Sequence, residues 1–197
     1  MSYRINPKSK TGWIELITGC MFAGKTEEFI RRIKRYEYAR QKVLVFKPEM
    51  DKRYAEKSVV SHSGIKVPAY SVSNSEQLLE VINKDHDFDV LAIDEVQFFD
   101  TNIISILDDF ANQGKIIIVS GLDKDYRNDP FQNVDKLLYI AEYVDKLYAI
   151  CFECGGNASR TQRIVNGVAA KLDEPLVQIS GYDKYEARCR HCYIAPN

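Results

Sequence analysis

The amino-acid sequence predicts an α/β fold in which a mostly parallel sheet carries helices on both faces, followed by a small β-rich segment. The main observation is that apolar runs of strand length alternate along the chain with segments of helical periodicity. A glycine-rich motif of the kind that joins a parallel strand to a helix follows the first apolar run. Two Cys-x2-Cys pairs after residue 150 mark a change of character, because no long helical pattern follows them.

The first predicted elements alternate between strand and helix. Residues 13–17 form an apolar strand, and a helix is expected over residues 26–40 because its apolar side chains recur at helical spacing. Residues 43–46 are a short continuous apolar run, which is typical of a buried parallel strand. The polar stretch over residues 48–64 is longer than an ordinary connection and therefore indicates a functional loop.

The pattern continues through the middle of the chain. A strand is predicted at residues 67–72, and Ser73 and Glu76 then have the spacing of a capping box that opens a helix reaching residue 83. The later predicted elements are a strand at 89–94, a helix at 101–113, a strand at 116–120, a short helix within 130–139 and a strand at 146–150. Strands that alternate with helices in this way imply a parallel sheet covered on both sides.

Composition and charge narrow the class of protein. The chain has 197 residues, of which 45% are hydrophobic, so it can bury a substantial core without disulfides. Lys and Arg total 27 against 28 Asp and Glu, a balance that argues against wholesale binding to nucleic acid or an anionic membrane. No apolar run approaches a membrane span, and the polar first residues are unlike a signal peptide. We therefore expect a soluble, cytoplasmic protein.

We divide the chain near residue 150, where the alternation of strands and helices gives way to short β-like pieces. We expect a loose leader over residues 1–11, a core over 12–150, and a small β-rich unit over 151–197. In the last unit, Asn166 and Gly167 are a turn signal, and residues 176–179 have the composition of a short strand.

A phosphate-binding loop is predicted between the first strand and the first helix, which places the core among the P-loop NTPase-like folds. The segment GCMFAGKT fits the pattern G-x4-G-K-[ST]. Its glycines let successive N–H groups point at phosphate oxygens, and the helix N-terminus adds partial positive charge. Lys25 is expected to reach the β- and γ-phosphates, and Thr26 to bind Mg²⁺. The candidate ATP-binding residues here are Gly19, Cys20, Met21, Phe22, Ala23, Gly24, Lys25 and Thr26.

Two acidic residues end the strand predicted at 89–94. Asp94 is placed where an aspartate can hold Mg²⁺ directly or through water, and Glu95 where general-base chemistry is plausible. A simpler interpretation is that both are solvated acids at a strand end. The accompanying phosphate loop favours the functional interpretation.

The two cysteine pairs predict a structural zinc site. Cys151, Cys154, Cys189 and Cys192 form two C-x2-C pairs separated by 34 residues, and four thiolates suit a closed tetrahedral Zn²⁺ site. The spacer is longer than in a simple zinc ribbon, so a loop must extend between the pairs. His191 remains an alternative ligand, and two redox disulfides remain an alternative to a metal. Cys20 is interpreted as a small loop residue and not a nucleophile.

Taken together and in this order, the motifs resemble those of the small, zinc-containing thymidine kinases of bacteria and animal cytosol. The resemblance extends from about residue 12 to 193. It depends on GCMFAGKT at 19–26, IDEVQFF at 93–99, GLDKDYRNDPF at 121–131, the first cysteine pair, and SGYDKYEARCRHC at 180–192. The family would place ATP phosphates and Mg²⁺ on the glycine-rich loop, with Asp94 on the metal side.

The resemblance also implies the catalytic groups. Glu95 matches the general base, which takes the proton of the nucleoside 5′-hydroxyl as that oxygen attacks the γ-phosphorus. Asp51 and Arg53 match a D-x-R segment near the phosphates, where Arg53 would offset developing negative charge. Lys25 and Arg53 are therefore candidate catalytic residues beside Glu95, and Gln97 is a candidate on both the nucleotide and the nucleoside side.

The implied nucleoside site combines core residues with a flexible segment. Residues 166–179 correspond to the family's lasso, which folds over the nucleoside and contacts the base largely through its backbone. The candidate contacts are Met21, Gln97, Phe98, Leu122, Tyr126, Phe131, Val177, Gln178, Ile179, Ser180 and Tyr185. Considered singly, Phe98 and Leu122 are also compatible with ordinary packing, and Tyr126 and Tyr185 with ordinary surface aromatics.

The chain departs from the family pattern at a few positions. Cys20 replaces the commoner Pro, Val96 the commoner Gly or Ala, Tyr126 the commoner Phe, and Ser180 the commoner Gly. None of these changes removes a catalytic group. The resemblance further implies thymidine and ATP as substrates, activity on deoxyuridine, inhibition by thymidine triphosphate, and a homotetramer.

Two other functions compete with this interpretation. A P-loop ATPase of the recombinase or helicase kind would use Asp94 and Glu95 to activate water, but 197 residues are short for such a protein. A non-enzymatic zinc ribbon that binds nucleic acid or protein is the second, although the C-terminal segment is not strongly basic. We expect no nucleic-acid partner and no membrane partner.

Overall fold

The described part of the chain forms a central sheet of six strands that all run parallel. The computed structural model describes residues 11–49, 58–60, 64–84, 87–176 and 184–197. The strands before residue 148 are β1 (Trp13–Gly19), β2 (Val43–Pro48), β3 (Ser58–Val60), β4 (Lys66–Pro68), β5 (Tyr70–Val72), β6 (Val90–Ile93), β7 (Ile116–Leu122) and β8 (Tyr143–Leu147). The sheet order is β5-β2-β6-β7-β1-β8, and each neighbouring pair is parallel. The predicted mostly parallel α/β sheet is confirmed.

Helices cover both faces of this sheet. They are α1 (Lys25–Tyr38), α2 (Ser75–Lys84), α3 (Ile103–Asn112) and α4 (Val134–Ile140), with a 3-10 turn at Val96–Phe98. Neighbouring β1 residues point to opposite faces, as a strand requires. Leu16 packs into the core shared with α2, α3 and α4, whereas Ile17 packs into the core shared with α1. Two apolar cores therefore flank one sheet.

The C-terminal part is antiparallel. Its strands are β9 (Ala149–Ile150), β10 (Asn157–Ala158), β11 (Arg160–Val165), β12 (Val168–Ala169) and β13 (Lys184–Arg188). β9 pairs with β10, and β11 is the middle strand between β12 and β13. Asn166 and Gly167 both have positive φ, so they form the two-residue hairpin turn that the sequence predicts.

Some predicted strands are divided in the structure. The strand predicted at 67–72 breaks at Ala69, because β4 pairs antiparallel with β3 whereas β5 joins the central sheet. The strand predicted at 146–150 breaks after Leu147, where the chain leaves the central sheet to pair with β10. Leu176 is not in a strand, and the rest of the predicted piece at 176–179 lies outside the described residues.

The start of α2 is capped one residue later than predicted. Asn74 Oδ1 accepts the Gln77 N–H at 2.9 Å, and Gln77 Oε1 accepts the Ser73 N–H at 2.7 Å. The predicted pair of Ser73 and Glu76 is therefore wrong: Asn74 caps the Gln77 N–H, and the Gln77 side chain binds Ser73, the residue before the cap.

A buried ionic network attaches α1 to the sheet. Arg32 of α1 donates to Glu15 of β1 at 2.7 Å, to Asp145 of β8 at 2.5 Å and to Glu28 at 2.8 Å. Tyr36 Oη donates to the other Glu15 oxygen at 2.8 Å, and burial together with the Glu15 charge raises the pKa of Tyr36. Because α1 begins at the glycine-rich loop, this network also fixes the direction in which that loop leaves the sheet.

Removal of the Arg32 guanidinium should destabilise the fold strongly. Arg32→Ala leaves the buried Glu15 carboxylate without its cation, which costs about 3–5 kcal/mol of unfolding free energy. The matched control is Arg31→Ala, because Arg31 is half-exposed and pairs with Glu28 on the same helix; its cost should stay below about 1 kcal/mol. Urea denaturation followed by circular dichroism measures both. Equal losses for the two variants would contradict the assigned role of the network.

Candidate active site

The loops that carry the candidate residues meet at one edge of the sheet. Because all strands are parallel, the carboxyl ends of β1, β6 and β7 lie side by side. Gly19 at the end of β1 is in register with Leu122 at the end of β7. Asp94 and Glu95 follow β6 directly. The structure thus brings the glycine-rich loop, the acidic pair and the β7 end together.

The glycine-rich loop begins with a residue that must be glycine. Gly19 has a φ of 141°, and a Cβ there would lie 2.4 Å from the Leu147 carbonyl oxygen of β8. Phe22 takes a left-handed φ of 65° at the tip of the loop, and its side chain is exposed. The Met21 N–H is held by Thr161 Oγ1 of β11 at 3.1 Å, a contact that the sequence analysis did not predict.

Lys25 is buried among carboxylates. Its Nζ donates to the Cys20 carbonyl oxygen at 2.9 Å, so the ammonium folds back across its own loop. Burial lowers the pKa of Lys25 from its ordinary value, and the charges of Glu95, Asp94 and Asp123 oppose that shift. The structure therefore places the predicted lysine beside both predicted acids, where a phosphate group would compete for its charge.

Asp94 is held by a residue that sequence reasoning missed. Its carboxylate is buried and accepts hydrogen bonds from Ser120 Oγ of β7 and, at 3.1 Å, from the Glu95 N–H. Asp123, also missed, is buried beyond the end of β7 and pairs with Lys146 of β8 at 2.7 Å. Ser120 and Asp123 both follow the apolar residues at the start of β7. Polar residues at the carboxyl end of a parallel strand commonly line a binding site, and this position could have identified them.

Glu95 has an unusual backbone conformation. Its φ of 51° and ψ of 46° lie in the left-handed region, which costs about 1–3 kcal/mol for a residue other than glycine. The Glu95 carboxylate accepts a hydrogen bond from Gln97 Nε2, and Gln97 Oε1 accepts the Leu122 N–H at 3.2 Å. The strained backbone and the buried amide together hold the carboxylate in one orientation near Lys25.

The position of Gln97 depends on the absence of a side chain at Gly121. A Cβ on Gly121 would lie 2.8 Å from Gln97 Oε1 and 2.8 Å from a methyl group of Val134. A larger residue would therefore displace the amide that orients Glu95.

The candidate nucleoside residues lie on several elements. Phe98 and Phe131 pack edge to face, with ring centroids 6.0 Å apart, and Phe131 is buried whereas Phe98 is half-buried. Leu122 is half-buried, and Tyr185 is half-buried on β13 opposite Arg163. These positions do not show whether the residues contact a nucleoside, so the nucleoside contacts stay predictions.

Tyr126 lies in different surroundings. Its ring is buried, and its hydroxyl lies 2.7 Å from the Glu174 carbonyl oxygen and 3.2 Å from that of Lys171. Six predicted residues lie outside the described part of the chain, namely Asp51, Arg53, Val177, Gln178, Ile179 and Ser180.

The four paired cysteines form one cluster. The sulfur atoms of Cys151, Cys154, Cys189 and Cys192 all lie within 4.8 Å of one another, and each cysteine is a free thiol. Burial raises the pKa of Cys151, but N–H groups of Cys189, Cys154 and Glu153 outweigh it and lower the pKa to about 6. His191 is exposed and lies outside this group of ligand atoms. The donor set suits a tetrahedral zinc ion.

The cysteine cluster packs against the glycine-rich loop. Cys20 is 1% exposed and lies in an apolar group with Ala149, Cys151, Ala158 and Ala187. Its sulfur donates to the Ala158 carbonyl oxygen at 3.4 Å, and burial raises the pKa of its thiol. A buried, protonated thiol is a poor nucleophile, which agrees with the sequence interpretation. The packing onto the C-terminal strands was not predicted.

Among the residues that the structure describes, no helix combines the length and apolar character needed to cross a membrane.

Comparison with known proteins gives a consistent result. The thymidine kinase family model matches residues 12–193. The chain is 54% identical over 191 residues to a thymidine kinase of Mycoplasma capricolum subsp. capricolum, covering 95% of this chain and 91% of the relative. It is 54% identical over 191 residues to the thymidine kinase of Mycoplasma mycoides subsp. mycoides, with the same coverage. It is 50% identical over 189 residues to that of Mesoplasma florum, covering 94% and 93%.

Metal analysis of variants should show that zinc binding depends on the four clustered cysteines and not on Cys20. The purified protein should carry about one Zn²⁺ per chain, and Cys154→Ser should lose most of it because a closed site needs all four thiolates. Cys20→Ser is the matched control and should retain the metal, since Cys20 is not in the ligand group. Elemental analysis of both variants provides the measurement. Unchanged zinc in Cys154→Ser would contradict the assignment.

Proposed function

This chain belongs to the thymidine kinase family, and we propose that it transfers the γ-phosphoryl group of ATP to the 5′-hydroxyl of thymidine. The observation that carries the proposal is the placement of Glu95 beside Lys25 at the glycine-rich loop. A general base and a phosphate-binding lysine at the same carboxyl edge of a parallel sheet are what the transfer of a phosphoryl group to an alcohol requires. Deoxyuridine, which lacks only the thymine methyl group, is proposed as a second substrate.

The glycine-rich loop supplies the phosphate site in this proposal. Backbone N–H groups of residues 19–24 and the N-terminus of α1 hold the β- and γ-phosphates. Lys25 moves its ammonium from the Cys20 carbonyl to a phosphate oxygen, so that one charged hydrogen bond replaces another. The predicted contact of Arg53 with the transferring group belongs to the same proposal.

The acidic side of the site fits a magnesium ion. Asp94 offers a buried carboxylate oriented by Ser120, and Thr26, in the first turn of α1 directly after Lys25, offers a hydroxyl. Carboxylate and hydroxyl oxygens are the donors that Mg²⁺ prefers. A bound Mg²⁺ would offset phosphate charge and so reduce the charge repulsion that an attacking hydroxyl meets. Asp94 would hold it directly or through water.

Glu95 acts as the general base in the proposed reaction. A carboxylate oxygen of Glu95 accepts the proton of the 5′-hydroxyl while the hydroxyl oxygen forms a bond to the γ-phosphorus. The bond from the γ-phosphorus to the β–γ bridging oxygen breaks, and ADP leaves. Gln97 donates to the Glu95 carboxylate and thereby restricts its orientation without neutralising its charge. The left-handed backbone at Glu95 is the strain that this orientation requires.

The nucleoside site is proposed next to this base. The aromatic pair Phe98 and Phe131 with Leu122 offers the apolar surface that a pyrimidine ring requires. The buried amide of Gln97 borders the same region, because its Oε1 accepts the Leu122 N–H. Met21 is proposed as a contact from the family resemblance. The further contacts proposed from the family resemblance are Tyr126, Val177, Gln178, Ile179, Ser180 and Tyr185.

The remaining proposals concern the metal in the cysteine cluster, the cellular location, the division into domains, the oligomeric state and inhibition. We assign zinc to the four cysteines as a structural ion, since four protein ligands leave no open coordination position. Free cysteines and a thiolate cluster suit a reducing compartment, which supports a cytoplasmic location. The division into a leader over 1–11, a kinase core over 12–150 and a zinc-binding unit over 151–197 is retained. A homotetramer and inhibition by thymidine triphosphate are proposed from the resemblance.

Substitution of the proposed base tests the mechanism. Glu95→Gln keeps the shape of the side chain but cannot accept the proton, so kcat should fall about 10²- to 10⁴-fold in a thymidine phosphorylation assay with MgATP. The KM for ATP should change little, because Glu95 binds no phosphate in this scheme. Glu76→Gln on the exposed surface of α2 is the control and should keep full activity. A Glu95→Gln enzyme with full turnover would remove Glu95 from the mechanism.

A further inference from the structure

The Tyr126 hydroxyl connects two segments that are distant in sequence. Tyr126 follows β7, and its hydroxyl is shared between the carbonyl oxygens of Glu174 at 2.7 Å and Lys171 at 3.2 Å. Arg127 Nε donates to the same hydroxyl oxygen at 3.1 Å, and another Arg127 nitrogen donates to the Glu174 carbonyl at 2.9 Å. The hydroxyl donates its one proton to these carbonyl oxygens and accepts the hydrogen bond from Arg127. Both its donor and its acceptor capacity are therefore used.

A buried arginine completes this arrangement. Arg163 of β11 is fully buried, and one of its guanidinium nitrogens donates to the Pro175 carbonyl oxygen. The guanidinium carbons of Arg163 and Arg127 each lie 5.3 Å from the centroid of the Tyr126 ring. A buried guanidinium needs acceptors and a polarisable surface, and the carbonyl and the aromatic ring provide them. We call Tyr126, Arg127 and Arg163 the clasp.

The segment that the clasp holds, residues 171–175, lies mostly at the surface. In residues 171–175, the side chains of Lys171, Leu172, Asp173 and Pro175 are exposed. The Glu174 N–H reaches the Lys171 carbonyl at 3.4 Å, and the Leu172 N–H reaches the Asn197 carbonyl at 3.4 Å, both long hydrogen bonds. A segment without buried side chains takes its stability from such polar contacts. The clasp therefore restrains residues 171–175 through hydrogen bonds to the carbonyl oxygens of Lys171, Glu174 and Pro175.

The clasp is also attached to the loop that bears two proposed nucleoside contacts. Leu122 and Phe131 flank the loop over residues 123–130, and the Phe131 N–H closes it by donating to the Asp123 carbonyl at 3.2 Å. Tyr193 Oη donates to the Tyr126 carbonyl at 2.7 Å and fixes the middle of the loop. A change at the clasp is thus transmitted to Leu122 and Phe131 through one short, closed loop.

We propose that Tyr126 is a positioning residue, whose hydroxyl joins residues 171–175 to the loop between Leu122 and Phe131 and thereby sets the affinity for the nucleoside. The proposal depends on the proposed function in one respect, the placement of the nucleoside beside Leu122 and Phe131. It assigns the Tyr126 hydroxyl to the protein backbone and not to the substrate, whereas the Tyr126 ring stays a proposed nucleoside contact. The Tyr126 hydroxyl and Arg127 bind backbone carbonyls of residues 171 and 174, which are outside the proposed phosphate site, so ATP binding should not depend on the clasp.

The test removes one oxygen atom. Tyr126→Phe keeps the ring beside both guanidinium groups but deletes the hydrogen bonds to Lys171 and Glu174. Hydrogen exchange at the Leu172 and Glu174 amides should accelerate about three- to tenfold, and the KM for thymidine should rise by a similar factor, as expected for the loss of one intramolecular hydrogen bond. The kcat and the KM for ATP should stay within about twofold. Tyr139→Phe is the matched control, because Tyr139 is 76% exposed.

A second variant keeps the test decisive. Arg127→Ala removes the donor to the Glu174 carbonyl from a partly exposed side chain, and it should accelerate exchange at the same two amides. The double variant should show less than the sum of the two single effects, because both groups act on one carbonyl. Additive effects, or exchange rates unchanged in Tyr126→Phe, would overturn the clasp.

The kinetic result separates the clasp from the proposed function. Faster exchange with an unchanged KM for thymidine overturns the positioning role, and a joint rise in the KM values for thymidine and ATP does so as well. If the parent enzyme phosphorylates no nucleoside, the proposed function fails, whereas accelerated exchange in Tyr126→Phe still supports the clasp as a structural contact.

Discussion

The parallel pairing of β1 with β7 is the constraint on which the site depends. In that register, Gly19 lies beside Leu122, so the glycine-rich loop and the proposed nucleoside loop leave the sheet as neighbours. β6 pairs with the other edge of β7 and brings Asp94 and Glu95 to the same boundary. A shift of one residue would turn every side chain to the opposite face and separate the groups that the reaction needs. The apolar cores on both faces hold this register in place.

Buried charge at this boundary is balanced by neighbours on adjacent strands. Lys25 lies among Asp94, Glu95 and Asp123, and Asp123 is in turn paired with Lys146 from β8. Each charge therefore has a partner from a different element, and displacement of one strand would leave a carboxylate or an ammonium buried alone. The same principle operates two turns further along α1, where Arg32 joins β1, α1 and β8 through three carboxylates. Electrostatic balance and sheet topology therefore reinforce each other.

Local patterns in the sequence were sufficient to predict the parallel sheet, the glycine-rich loop and the cysteine cluster. Each depends on residues close together in sequence or on a fixed spacing, as with the apolar run of β1 or the two cysteine pairs. The division of residues 67–72 into two strands was not predictable, because it depends on which distant strand each half meets. The surroundings of Tyr126 were not predictable either, since its partners are backbone carbonyls about 45 residues away, which have no side-chain signature. Ser120 and Thr161 act through pairings of the same nonlocal kind.

The burial of Cys20 among residues of the C-terminal strands has a consequence for how the chain is made. The phosphate loop is translated within the first thirty residues, but its packing surface includes Ala149, Ala158 and Ala187. Contacts of such long sequence separation form late and slow a folding reaction, because a large loop must close before any of them contributes. During synthesis the ribosome must therefore release most of the polypeptide before the nucleotide-binding end of β1 can acquire its final support. A chain interrupted before residue 149 would lack these packing partners of Cys20.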